Sequence, residues 1–471
     1  MDIFQDPSLM LAPAGAIKTR HARDIAASPL CIGFETLDRR MFNPDKCYDL
    51  LAESGAKWAR CQTGWSRCEI EKGVIDFAWL DEIVDQLLKR GVQPWFNLGF
   101  GNKLYMPGVP HESAVGCVPI AYGPECLAAW KRFVAAVATH FAGRVKHWEI
   151  WNEPNIDQFW HPTHATGEAY AELIAETAPI IKRIQPDSVI LGCTSAIDCA
   201  FIHRALKAGM GDHIDAFSLH PYTAPPIPEA SYFADIAAVR ALMAQYAPHV
   251  RLWQGECGYP ARAYGHHDSW MGIYHADEAS QAKFVLRRIV LDSMARMDVI
   301  AYFHISDLME QPYRQSNGQE RPPVMLGLLN GLTYTPKMSY DAFKHIAPIF
   351  DANLAAADLY CRLNTGVDTR REGALPFLAP VVGTFIRDGY PLFAYYFPED
   401  LQRGWRGLSD VSVSFIQQTE KRLEHPVLVD CLAGKIYRAT SFNEADSGIC
   451  TVSGLPLTDY PLLLTDDAAV G

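Results

Sequence analysis

Two glutamates in this sequence stand where chemistry would be expected. From His147 to Asn155 the chain reads His-Trp-Glu-Ile-Trp-Asn-Glu-Pro-Asn, a short apolar and aromatic run of the kind that forms a buried strand. It stops at Asn152-Glu153-Pro154, because Pro154 cannot continue a central ladder. A second apolar strand, built on Val250, Leu252 and Trp253, ends in Glu256 between Gly255 and Gly258. One such glutamate is adequately explained as a solvated residue at a turn. Two of them, roughly 100 residues apart, leave room for three strand–helix units, as between the fourth and seventh strands of a parallel barrel whose C-terminal strand ends build the pocket. Paired carboxylates across a pocket suit glycosidic bond cleavage, one protonating the leaving oxygen and the other attacking or activating water.

Three motifs in this order and spacing carry a family resemblance: Trp-Asn-Glu-Pro-Asn (Trp151 to Asn155), His-Pro-Tyr (His220 to Tyr222) and Gly-Glu-Cys-Gly (Gly255 to Gly258). Together they resemble clan A of the retaining glycoside hydrolases, most nearly family 39, the β-xylosidase and exopolysaccharide-hydrolase group, with families 5 and 30 as neighbours. The resemblance covers the strand ends from about residue 30 to 350. It implies a (β/α)8 barrel and a retaining β-glycosidase that needs no cofactor, with Glu256 as nucleophile and Glu153 as acid/base. It further implies an arginine, Arg60, beside the nucleophile, His220 fixing the site, and Tyr222 hydrogen-bonding Glu256. A cation at Arg60 would keep Glu256 ionised, while burial and the charge of Glu256 would raise the pKa of Glu153. Asn152 is placed to bind the 2-hydroxyl. The eighth strand departs from the clan pattern: a tryptophan platform is expected under the sugar at subsite −1, and this chain has Phe303-His304 there, followed by the matching aspartate, Asp307.

The elements that must hold these residues follow from periodicity. Barrel strands are predicted at Cys31–Leu37, Trp58–Cys61, Gln93–Leu98, the Asn-Glu-Pro strand, Ser188–Gly192, His213–Leu219, the Glu256 strand and Val299–Ser306. A helix is expected from Pro44 to Gly55, and Leu80, Ile83, Val84, Leu87 and Leu88 fall at helical spacing before Gly91. Residues 99–125 are too long for an ordinary connection, which makes them a lid or an embellishment of the pocket, with Tyr105 and Tyr122 either stacking on sugar or packed down. Trp65, after the second strand, and Trp160, behind Glu153, are candidate pocket walls, although most aromatic residues are simply core. His266 and His267 lie in a polar loop with Trp270, but no third ligand is spaced for a metal.

From about Ala352 the texture changes to short apolar stretches broken by turns, including 380–386, 392–397, 411–415, 426–430 and 434–437. This predicts a C-terminal antiparallel β-sandwich over 351–471, ending in a strand at Leu457–Leu464, beside an α/β barrel over 31–350. Residues 1–30 are expected to pair with the sandwich, on family resemblance. The 471-residue chain carries 42 basic against 54 acidic residues, a net charge of −12 that argues against a nucleic acid partner. No run of eighteen apolar residues suggests a membrane span, and no secretory leader is legible in residues 1–23. Twelve cysteines without a Cys-x-x-Cys pair read as buried free thiols, which points to the cytoplasm. A carbohydrate is the expected partner, and the sequence leaves monomer and homo-oligomer equally open. An endo-acting polysaccharide hydrolase of the same clan and a sugar-binding pseudoenzyme are the alternatives.

Overall fold

The computed structural model describes residues 3–223, 227–262, 276–314, 319–321, 323–366, 379–401 and 405–470. Strand β1 (Leu11–Ala16) precedes the barrel. Eight parallel strands then close into a ring: β2 (Leu30–Gly33), β3 (Trp58–Gln62), β4 (Gln93–Leu98), β5 (His147–Ile150), β6 (Val189–Ser195), β7 (Ala216–His220), β8 (Arg251–Gln254) and β9 (Ile300–Tyr302), with Cys31 paired to Ala301 where the ring joins. The connections carry helices α1 (Tyr48–Glu53), α2 (Trp65–Cys68), α3 (Ala78–Lys89), α4 (Pro124–His140), α5 (Gly167–Ile184), α6 (Cys199–Lys207), α7 (Tyr232–Tyr246) and α8 (Glu278–Met294), and α9 (Met338–Ile346) follows the ring.

Several elements are shorter than predicted: the first barrel strand ends at Gly33 rather than Leu37, and the sixth begins at Ala216 rather than His213. Instead of one helix over 44–55, a 3-10 turn at Pro44–Lys46 precedes α1. Regular pairing of the eighth barrel strand ends at Tyr302, after which Phe303 bonds to the Cys257 carbonyl (2.9 Å) and Ile305 to that of Gly33 (3.0 Å).

Period-two alternation sorts each barrel strand into an outer and an inner face. Ile32, Ala59, Cys61, Phe96, Trp148, Ile150, Phe217 and Leu219 join the large core between ring and helices. The inward positions begin apolar: Cys31, Trp95, Leu191, Ala216, Trp253, Val299 and Ala301 plug the barrel floor. Two residues further along the same faces stand Arg60, Asn97, Glu149 and Ser218, all fully buried. The barrel is thus apolar at its N-terminal end and polar at its C-terminal end.

After a two-stranded hairpin, β10 (Tyr313–Arg314) and β11 (Glu320–Arg321), the chain builds two antiparallel sheets from β12 (Leu354–Ala356), β13 (Cys361–Asn364), β14 (Val381–Arg387), β15 (Tyr390–Tyr396), β16 (Leu408–Ile416), β17 (Pro426–Asp430), β18 (Lys435–Ala439), β19 (Phe442–Glu444), β20 (Ile449–Leu457) and β21 (Leu462–Asp466). One sheet runs β1-β18-β17-β21-β15-β14-β12 and the other β13-β16-β20-β19. The single strand predicted over 457–464 is two. A turn at Thr458–Pro461, closed by the Thr458 hydroxyl on the Tyr460 carbonyl (2.6 Å), carries the chain from one sheet to the other. Arg287 on α8 ties barrel to sandwich: it pairs with Glu229 and donates to the Glu399 carbonyl (2.8 Å), while Glu229 also accepts from the Tyr396 hydroxyl (2.9 Å). All twelve cysteines are free thiols. Among the described residues no helix is long and apolar enough to cross a membrane.

Candidate active site

At the polar end of the barrel, Arg60 is the hub. Its Nε donates to Glu149 (2.7 Å), Nη1 to Glu35 (3.0 Å) and Glu256 (2.7 Å), and Nη2 to Asn152 Oδ1 (2.8 Å). Because a guanidinium can only donate, it fixes the Asn152 amide with its NH2 group left to donate elsewhere. Glu35 lies two residues beyond inward-facing Gly33, and a Cβ on Gly33 would fall 2.4 Å from a Glu35 oxygen, so this glycine makes room for the carboxylate.

The chain turns sharply as it leaves β5, with Trp151 at φ 68° and Glu153 at φ 46°, left-handed conformations that non-glycine residues adopt only where the surroundings enforce them. Those surroundings are visible. The Trp151 amide donates to the Leu98 carbonyl (3.0 Å), its indole to the Phe159 carbonyl (2.7 Å), and Asn155 exchanges two hydrogen bonds with the Ser195 backbone (2.9 and 2.7 Å).

Glu153 thereby meets His220, at the end of β7, with Oε1 3.1 Å from Nδ1. Glu256 accepts from the Tyr222 hydroxyl (2.9 Å) and lies 3.8 Å from the same His220 nitrogen. One oxygen of each glutamate and a ring nitrogen of His220 all lie within 4.8 Å of one another. Burial alone would lower the His220 pKa, but Glu256, Glu149 and Glu153 outweigh it and raise it to about 9, so the ring is an imidazolium at neutral pH. Burial would likewise raise Glu149, yet Arg60 and His220 bring it down to about 2. For Glu256, burial and the nearby Glu153 raise the carboxyl pKa, while His220, Arg60 and the Tyr222 hydrogen bond pull it down, Arg60 in the direction expected. Glu35 is also raised, again by burial against Arg60.

The His220 imidazolium makes a testable contribution to stability. Its folded pKa exceeds the value of about 6.5 in the unfolded chain, so the stabilisation is complete below pH 6.5 and is lost as pH rises towards 9. The shift corresponds to something on the order of 3 kcal/mol. The gap in urea midpoint between wild type and His220→Gln should therefore narrow between pH 6 and pH 9.5; a constant gap would contradict a charged ring.

The structure gathers Arg60, Asn152, Glu153, His220, Tyr222 and Glu256 into one cluster, with Phe303 partly buried at the end of β9. It separates three other candidates from any sugar. Trp65 is fully buried, stacked on Tyr105 (5.5 Å between centroids) and donating to Glu69 (2.6 Å), because α2 turns it under the 99–125 connection. Trp160 is fully buried edge-on between Trp151 and Tyr170. His304 is buried behind Glu35, Nε2–H donating to the Glu35 carbonyl (3.2 Å) and Nδ1 accepting from the Ser306 amide (3.3 Å), and burial lowers its pKa to about 4. Asp307 is a structural clamp on Lys337 (2.7 Å) and the Gly327 amide (2.9 Å). His266, His267 and Trp270 lie outside the described residues. Among the described residues, Glu153, His220 and Glu256 form the one trio close enough to hold a metal ion, and such an ion would have to displace the His220 proton.

Glu35 and Glu149 were missed from sequence, although parity in the strand gave a signal. Glu149 alternates with Trp148 and Ile150, so a buried strand must turn it inward.

The sequence profile of glycosyl hydrolases family 39 matches residues 61–358, from β3 to beyond the last barrel helix. The chain belongs to this family. The chain is similar to a β-xylosidase of Caldicellulosiruptor saccharolyticus, 26% identical over 330 residues that cover 64% of this chain and 62% of that protein, and to a β-xylosidase of Geobacillus stearothermophilus, 25% identical over 274 residues that cover 51% and 50%. These matches span less than two thirds of either relative's length. In fold, the chain is similar to a family 39 glycoside hydrolase from Bacteroides cellulosilyticus WH2, with a TM-score of 0.62 at 18% identity, covering 93% of this chain and 81% of that one. A family 30 endoxylanase from Clostridium papyrosolvens C71 follows with a TM-score of 0.56 at 12% identity, covering 96% and 97%.

Proposed function

We propose that this family 39 chain is a retaining β-glycoside hydrolase acting on a β-linked oligosaccharide, polysaccharide or glycoside, with the β-xylosidase relatives favouring a β-xyloside. The reading is carried by the approach of the Glu153 and Glu256 carboxylates to within 4.8 Å, which fits direct attack by one of them rather than the wider gap that holds a water between. Glu256 attacks the anomeric carbon and the glycosidic C–O bond breaks while Glu153 delivers its proton to the leaving oxygen. Water then adds to the anomeric carbon, losing a proton to Glu153 and releasing Glu256. Arg60 and Tyr222 hold Glu256 in line, and the Asn152 amide donates to the 2-hydroxyl. Residues 31–350 carry this chemistry, and residues 351–471 with β1 brace the barrel.

A panel of aryl β-glycosides tests the activity and names the sugar; no turnover on any of them would direct attention to an endo-acting hydrolase on polymers. Glu153→Gln tests the acid. Its kcat/KM should fall about 10²–10⁴-fold on a glycoside whose leaving group needs a proton, and far less on a dinitrophenyl glycoside, which does not. Equal losses on both would remove Glu153 from the acid role.

A further inference from the structure

On the same face of the barrel, a cleft of about 550 Å³ opens between the segments that follow β2, β3, β4 and β9, a size that suits a small ligand. Its wall is unusual for so acidic a chain: Arg39, Arg40, Arg67, Lys103 and Arg314 all line it. Three acids, Asp38, Glu69 and Glu112, line it against these five cations, which leaves positive charge in excess. Glu69 is buried, and its oxygens accept from the Trp65 indole (2.6 Å), the Gly73 amide (2.8 Å) and the Tyr105 hydroxyl. Asp38 is committed to Arg39 (3.2 Å). Glu112, 78% exposed, reaches Lys103 only at 4.0 Å.

The five cations divide into two kinds. Arg39 and Arg67 are pinned: Arg39 donates to Gln62, two residues along β3 from Arg60, and sits 5.4 Å over the Phe100 ring, while Arg67 donates to the Leu37 carbonyl and lies 4.1 Å over Trp79. Phe100 in turn meets Trp151 edge-on (5.6 Å), two residues before Glu153, so packed side chains link the cleft wall to the strand end that carries Glu153. Arg40, Lys103 and Arg314 are instead partly or fully exposed. Arg40 has no ion pair among the described residues, and Lys103 and Arg314 have only surface partners, Glu112 and Glu320, worth at most about 1 kcal/mol each. An incoming anion can displace such partners, because charge-assisted bonds to a guanidinium are the stronger interaction. The pKa of His111, which the cleft also includes, is lowered by its burial and by the nearby positive charges of Arg314, Lys103 and Arg39, against the pull of Glu112.

We propose that this cleft is a subsite for an anionic sugar unit of the substrate chain, its carboxylate or sulfate held by Arg40, Lys103 and Arg314. Neutral sugars have no use for concentrated positive charge, whereas an acidic side branch or backbone unit does. The assignment rests on the glycoside-hydrolase reading, which places a sugar chain across this face.

The test is equilibrium binding by calorimetry to the Glu256→Gln protein, so that no ligand is consumed, with and without Arg40→Gln, Lys103→Gln and Arg314→Gln together. Xylotriose, the same backbone carrying one glucuronic acid, and its sulfated counterpart are the ligands. We expect the acidic ligands to bind at least about tenfold more tightly than xylotriose, and the advantage to vanish in the triple variant and to shrink in high salt. The tighter of the two acidic ligands identifies the anion. Equal affinity for all three, no binding of any, or an acidic preference that survives the triple substitution would overturn the subsite. Hydrolysis of aryl glycosides and of the acidic xylo-oligosaccharide by the parent protein separates the two readings: hydrolysis without acidic preference removes the subsite alone, and acidic preference with neither ligand class hydrolysed removes the enzymatic reading alone.

Discussion

Glu256→Ala is expected to lose about 10⁵-fold in kcat/KM on an aryl β-glycoside and to regain turnover in azide, with an α-glycosyl azide as product. The reasoning is geometric. Glu153, His220 and the leaving-group side of the site are untouched by the substitution, so protonation of the departing oxygen is preserved while the attacking oxygen is gone. Azide is small enough to enter the space the carboxylate leaves, and it attacks from the face where Glu256 stood. One displacement in place of two inverts the β-linked centre. Product stereochemistry, read by proton NMR, is therefore decisive. A β-glycosyl azide would exchange the roles of the two glutamates, and an undiminished rate would exclude Glu256 from the chemistry.

Arg60→Met should be the most destabilising single change at this site. Methionine fills much of the same volume but removes the cation shared by Glu149, Glu35 and Glu256, leaving only the His220 imidazolium near Glu149 and Glu256, and breaking a buried ion pair in this way costs about 3–5 kcal/mol. The deficit has a signed pH dependence. Glu35 and Glu256 already have raised pKa values with Arg60 present, and without it they rise further. A carboxyl that binds protons more readily folded than unfolded stabilises the fold as pH drops. The urea midpoint of Arg60→Met should thus approach that of wild type between pH 8 and pH 5. Arg60→Lys should fall between the two at neutral pH, because a single ammonium cannot reach all four partners of the guanidinium. If Arg60→Met were as stable as wild type at pH 8, the surrounding carboxyls would have to be neutral already.

Much of this was legible in the amino-acid sequence, for a physical reason. A buried parallel strand must be apolar, so its end is marked by the first residues that cannot stay in the ladder; Asn152-Glu153-Pro154 and Gly255-Glu256 are such marks. The sandwich was legible from its short, closely spaced strands, but the passage between sheets at Thr458–Pro461 was not, since a turn flanked by leucines reads as continuous strand. Charged residues inside strands were hidden for the opposite reason. Arg60 was placed by family resemblance, whereas Glu149 and Glu35 were overlooked although they share the inward parity. Aromatic side chains were the least legible. Nothing in the sequence separates a tryptophan that stacks on sugar from one like Trp65 or Trp160 that is wrapped by its neighbours, because that depends on how a long connection folds back.

The sharing of one guanidinium among Glu35, Glu149, Asn152 and Glu256 also bears on how this protein can change over evolutionary time. Residues with a common partner do not respond independently, so paired substitutions within this set should be strongly epistatic, departing from the sum of their single effects by about 0.5–3 kcal/mol. Drift at any one position is then constrained by the other three. New substrate preferences have an easier route through partly or fully exposed positions further along the segments after β2, β4 and β9, such as Arg40, Lys103 and Arg314, which have no hydrogen bond to Arg60.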